Sequence, residues 1–330
     1  NALGLDRSAA AMFSRIAAMG APGWSDEARA RAATLEAQRA RRNRASEAAR
    51  AAGDAMVKGG APALDQVEAF PGLMRLYFYD AVRTAPSVDR VVALKPFARA
   101  LDARFGGDAL ARHVDRIAGR PFSQRAALAA RYAELVAGQS SGDGPTALVG
   151  ALRAAGREVD DLLLGALIFV GPVRGQVAAT DLKEYVGLAA ATGDPWFALL
   201  ATEQRALAAL DVGEVSRAES ELRSAACDGP AAIAYRCQRI ARLQTHVYLA
   251  LHRARAAEDA WKRSRKAAIA NAVVPVEDEL LAFGATIAVH HDDVSGGLHA
   301  VAAAYFEELG RAGGNCAVTR VRQENPVSSP

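Results

Sequence analysis

A small residue returns every 39 or 40 positions in the second half of this chain, at one place in a recurring helical pattern: Ala218, Ala257 and Gly297. Each is followed four and seven positions later by a packing residue: Leu222 and Ala225, Trp261 and Ser264, Val301 and Ala304. Twelve positions earlier stands another small residue: Ala206, Thr245 and Ala285. A helical hairpin that cannot bury its own apolar side must stack on a neighbour, and small residues at the crossing let the helices approach. The pattern predicts a stack of helical hairpins.

Composition agrees. Half of the residues are apolar (51%) and only 6% are aromatic. Alanine, the best helix former, supplies much of the apolar share. Forty basic residues against 37 acidic ones leave a net charge of +3, too little for a strong field towards nucleic acid. The longest apolar stretch, Leu162 to Gly171, is roughly half of what a bilayer span needs. A non-membrane, cytoplasmic protein is expected. The chain opens on Asn with no signal-peptide pattern, which suggests a processed start or a fragment.

Breaks divide the chain into three expected regions: a helical arm or cap over 1–60, a helical region over 61–140 and repeat-like hairpins over 141–330. Gly59-Gly60-Ala61-Pro62 ends the arm, and Gly138 to Pro145 is the best linker. Pro96 should split the helix around it, with Ser87 capping its start and Asp108 capping the next helix. Further helices are expected near 180–192, 195–211, 213–226, 231–252, 254–270, 276–290 and 293–311. Val170 to Val177 hints at a strand.

There are three cysteines: Cys227, Cys237 and Cys316. With a helix beginning at 231, Cys237 lies about seven residues inside it, roughly 10 Å along the axis. That is too far from Cys227 for a disulfide, so free thiols in a reducing compartment are expected.

From about residue 180 the paired helices resemble tetratricopeptide-repeat hairpins. The resemblance rests on the small residues at 206, 218, 245, 257, 285 and 297, on Leu222, Trp261 and Val301, on Pro230 at a hairpin end, and on Tyr248 in a first helix. The period of 39 to 40 departs from the family's 34. The chain also looks like the helical-repeat part of large bacterial proteins, in which such repeats precede a caspase-like peptidase or another signalling domain. The resemblance implies an all-α solenoid whose first helices line a concave, partner-binding face.

On that face the sequence places Arg236, Arg239, Arg242 and His246, with Glu203 and Glu279 at comparable places in the neighbouring repeats. Clustered arginines can hold carboxylates through bidentate hydrogen bonds, and a solvated basic helix face is the plainer reading. His290-His291-Asp292-Asp293 has metal-ligand chemistry, but adjacent helical residues point about 100° apart, so capping explains it better. Cys316 with His299 lacks the surroundings of a thiol nucleophile. The basic runs at Arg39 to Arg44 and Lys262 to Lys266 are interleaved with acids and read as solvated faces. Asp160-Asp161 and Glu307-Glu308 read as cap and surface positions. No phosphate-binding glycine loop or nucleophile elbow occurs.

A non-catalytic scaffold is therefore expected, binding an acidic protein or peptide, with no cofactor, nucleic acid or membrane partner. The alternatives are the regulatory part of a larger peptidase or kinase, and a helical enzyme with its site in the 70–135 region, which would need a cavity around Tyr77 and Phe97.

Overall fold

A computed structural model describes residues 6–270, apart from 21, 141–143, 172, 174 and 228–232. Among these residues it is all-helical, with no strand. The helices are α1 (Asp6–Ala18), α2 (Ser25–Val57), α3 (Pro71–Thr84), α4 (Val88–Val92), α5 (Lys95–Phe105), α6 (Ala109–Ala118) and α7 (Arg125–Val136). They continue as α8 (Gly144–Ala155), α9 (Asp160–Ala166), α10 (Leu182–Ala191), α11 (Pro195–Asp211), α12 (Val215–Arg223), α13 (Ala234–Ala250) and α14 (Ala254–Ala270). No helix among the described residues is long and apolar enough to cross a membrane. Their contacts form two compact units, a larger one over residues 43–240 and a smaller one of 6–42 with 241–269. Helices α2 and α13 contribute to both.

The larger unit is built around α3, which packs against α5, α7 and α9. Pro71 supplies a pre-set first-turn φ where no N–H is needed. Pro96, in the first turn of α5, separates it from α4 as expected, and Ser87 Oγ accepts from Arg90 N at 3.3 Å to cap α4. Asp108 stands at the start of α6 without a capping bond. Asp102 does that work instead, its two carboxylate oxygens accepting from Leu110 N and Ala111 N at 3.0 and 2.9 Å. The expected linker at 138–145 joins α7 to α8, which pack on each other within one apolar core. Where a strand is expected near 170–177, the described residues 170, 171, 173 and 175–177 form a loop. Gln204 holds it there, donating to Gly175 O at 2.9 Å and accepting from Val177 N at 2.8 Å.

α3 also carries a buried polar stripe. Arg75, Tyr79 and Arg83 follow at four-residue spacing, so they lie on one face. Arg75 pairs with Asp194 at 2.6 Å, and the Tyr79 hydroxyl donates to the same carboxylate. Arg83 donates to the Asp161 carbonyl at 2.9 Å and to Asp80 at 3.2 Å. Fully buried Arg125 grips the Asp161 carboxylate at 2.8 and 2.7 Å. Burial alone would raise the Asp161 carboxyl, but the Arg125 bonds outweigh it and hold it below its ordinary range. Asp161 is thus a core counter-ion, not the cap or surface residue expected. Gly165 makes the close approach possible: a Cβ there would stand 2.5 Å from the Tyr132 hydroxyl and 2.6 Å from Arg83 Nε.

Helices α10, α11 and α12 pack in order, α10 on α11 and α11 on α12. The small residues of the repeat are buried: Ala206, Ala218, Thr245 and Ala257 are each at most 1% exposed. The turns repeat too. At the end of α11, Gly213 N bonds Leu210 O at 3.0 Å and Glu214 N bonds Ala209 O at 2.9 Å. At the end of α13, 39 residues on, His252 N bonds Leu249 O at 3.0 Å and Arg253 N bonds Tyr248 O at 2.8 Å. Both are Schellman closures, with a left-handed residue (Gly213 at φ 76°, His252 at φ 55°) ending the helix. Helix α14 then follows α13 as α12 follows α11, and Arg263 on α14 donates to Gln244 on α13 at 3.0 Å. The third expected hairpin, with Ala285, Gly297 and Val301, lies outside the described residues.

Cys227 and Cys237 form a disulfide, with Cα atoms 5.5 Å apart. The expectation of free thiols fails because α13 begins at Ala234, three residues later than expected, which puts Cys237 in its first turn. Cys316 lies outside the described residues.

Gly213→Ala should lower stability by about 1 kcal/mol, since a Cβ there meets no neighbour and only the left-handed backbone penalises it. A denaturant midpoint unchanged from wild type would contradict the closure.

Candidate functional site

The residues expected on the binding face all fall on α13 and its neighbour α11, except Glu279, which lies outside the described residues. The structure brings three of them together. Glu203 on α11 is 4% exposed and accepts from Arg239 Nε and Nη2 at 2.9 and 2.6 Å. Its other oxygen lies 3.6 Å from Arg236 Nη1. Arg236 is 6% exposed, and its guanidinium lies over the Trp196 ring at 4.2 Å. Tyr235 stacks on the same indole, with ring centroids 5.6 Å apart and planes 13° apart. Arg75 approaches that ring as well, at 5.5 Å. Burial drives Arg236 below the ordinary guanidinium range, although Glu203 pulls the other way.

This arrangement seats the first turns of α13 on α11. Gly72 at the start of α3 completes the seat, because a Cβ there would stand 2.5 Å from Tyr235 Cβ. A stacked guanidinium with a buried carboxylate is a packing device, and Arg236 and Glu203 present no open surface to a partner. Arg239 is partly exposed. Arg242 and His246, on the next turns of α13 and four residues apart, are exposed and stand on one side of the helix.

Of the other sequence-level candidates, Arg39 to Arg44 lie on α2, where the run is mostly exposed. Lys262 pairs with Glu258 at 2.6 Å in an i,i+4 contact. The His290 to Asp293 run, His299, Cys316 and Glu307-Glu308 lie outside the described residues. Among the described residues no group of three or more His, Cys, Asp or Glu side chains could hold a metal ion. Phe97 is fully buried and stacked on Phe78 at 6.5 Å in a packed core, while Tyr77 is half-buried against Gly53.

Sequence reasoning passed over Arg75, Arg83, Arg125 and Asp194 and took Asp161 for a cap or surface position. One signal was available: a helix apolar on nearly every side, Pro71 to Thr84, still carries two arginines and an aspartate. Charges on such a helix have no solvent face to occupy and must be paired inside.

No protein-family model matches the chain, and no curated protein is significantly similar to it.

Glu203→Ala should destabilise the chain by about 3 kcal/mol, because it leaves buried Arg236 without a counter-charge. Arg239→Ala should lose no more than about 1 kcal/mol, since its partly exposed end is screened. Equal losses in denaturant unfolding would mean that the carboxylate is not the centre of the cluster.

Proposed function

We propose that this chain is a tetratricopeptide-repeat-like scaffold that binds a protein or peptide and performs no chemistry of its own. The observation that carries the reading is the repeated hairpin: the same Schellman closure and the same buried small residues recur at a spacing of 39. Stacked hairpins of this kind present long helical faces for partners. The face favoured here is the exposed side of α13 bearing Arg242 and His246; desolvation and then the neighbouring Arg242 push the His246 imidazole down to about 4, so it is neutral at pH 7 and Arg242 supplies the positive charge that suits an acidic partner. The Cys227–Cys237 bond favours an oxidising compartment over the cytoplasm expected from the sequence, because such bonds persist where thiols are not kept reduced.

Two experiments test the reading. Proteins cross-linked to the full chain in its source cells should be lost when Arg242→Glu and His246→Glu are combined, with the melting temperature unchanged. Retention of the same partners by the variant would refute the assigned face. Peptide mapping without reductant, on protein isolated with thiols blocked at lysis, should yield the peptide linking Cys227 to Cys237; fully alkylated cysteines would return the chain to a reducing compartment.

A further inference from the structure

Two adjoining cavities, about 710 and 510 Å³, open on the larger unit and share Arg116 and Ala191 in their walls. They lie where α6 meets the end of α10 and the turn before α9. The larger has an apolar side made by Pro121, Leu188 and Ala191 and a polar side made by arginines and acids. Volumes of this size suit a small organic molecule.

The charges of the walls can be followed one by one. Arg120 pairs with Asp160 at 2.5 Å, Arg112 with Asp108 at 3.0 Å, and Asp115 with Lys95 at 2.6 Å. That leaves Arg116, Arg157 and Glu158, none of which has an ion-pair partner among the described residues. Two cations against one anion leave a residual charge of one positive unit.

Arg116 is already oriented. Its Nη1 donates to Ala191 O at 3.3 Å, and its Nη2 lies 2.9 Å from His113 Nδ1. The buried His113 imidazole is pushed down to about 3, by burial first and then by the cations around it, although Asp161 opposes the shift. His113 is therefore neutral at pH 7, accepts from Arg116 and adds no charge to the wall. The remaining N–H groups of a guanidinium held in this way form a fork that matches a carboxylate. Fixing the fork in advance removes an ordering penalty from binding.

We propose that this cleft binds a small monocarboxylic acid with an apolar body, its carboxylate between Arg116 and Arg157 and its body against Pro121 and Leu188. A monoanion cancels the residual charge. A phosphate dianion would overshoot it and face Glu158. The site is separate from the α13 face, and either assignment can fail without the other.

Titration calorimetry on the full chain tests the proposal, with phenylacetate as probe and acetate, phenyl phosphate and neutral benzyl alcohol as comparisons. Phenylacetate should bind tightest. Arg157→Gln should weaken it about ten-fold, the loss expected of one charge-assisted contact. Glu158→Gln should tighten it about three-fold by removing a like charge. Arg157 is exposed and in no ion pair, so its variant should fold even if one at Arg116 does not. Phenylacetate binding no better than benzyl alcohol, phenyl phosphate binding tighter than phenylacetate, or an unchanged affinity in Arg157→Gln would each overturn the assignment.

Discussion

The larger unit depends on charges kept inside it. Arg125 and Asp161 are almost wholly removed from water and meet through two short hydrogen bonds. Arg75 and Asp194 are buried to a similar degree and meet through one hydrogen bond of 2.6 Å. Desolvating such ions is expensive, and only near-ideal geometry repays it. An apolar core of the same volume could be as stable, so these pairs are better understood as setting position. Asp161 can face Arg125 only when α9 is seated on α7 and α3, and Gly165 removes the side chain that would block that seat.

Helix α3 is where these constraints meet. Its apolar residues Met74, Phe78 and Val82 fill the core, while its arginines and tyrosine reach partners on α9, α7 and the start of α11. A regular solenoid has no such hub, because each unit contacts only its neighbours. Helices α10, α11 and α12 instead pack each on the next, and the hub meets them at Tyr79, whose ring centroid lies 4.6 Å from that of Phe197 and 5.9 Å from that of Trp196.

Much of this was legible in the sequence where punctuation is local. The expected helices 195–211 and 254–270 coincide with α11 and α14. The first begins at Pro195, where the Asp194 carboxylate accepts from Trp196 N at 2.9 Å, and closes at Gly213 with its left-handed backbone. Small residues at a fixed period announced the packing positions because burial at a helix crossing restricts size directly. What stayed hidden depended on distance in sequence or on small errors in phase. Nothing near Asp161 announces Arg125, 36 residues away. A three-residue error in the start of α13 moved Cys237 from its first turn to its second and turned a disulfide into two free thiols. The arginines of α13 were seen as a group, but their division into a packing half and an exposed half depends on where Trp196 and Glu203 stand on α11.

Asp194 has two partners of different kinds. It terminates the backbone at the head of α11 and it neutralises Arg75 in the middle of the hub. The carboxylate therefore ties the first turn of α11 to the interior of the bundle around α3. A helix anchored in this way cannot peel away alone, because its departure would leave Arg75 buried without a counter-charge. Opening of α11 should therefore be coupled to loss of the Arg75 pair at the heart of the hub.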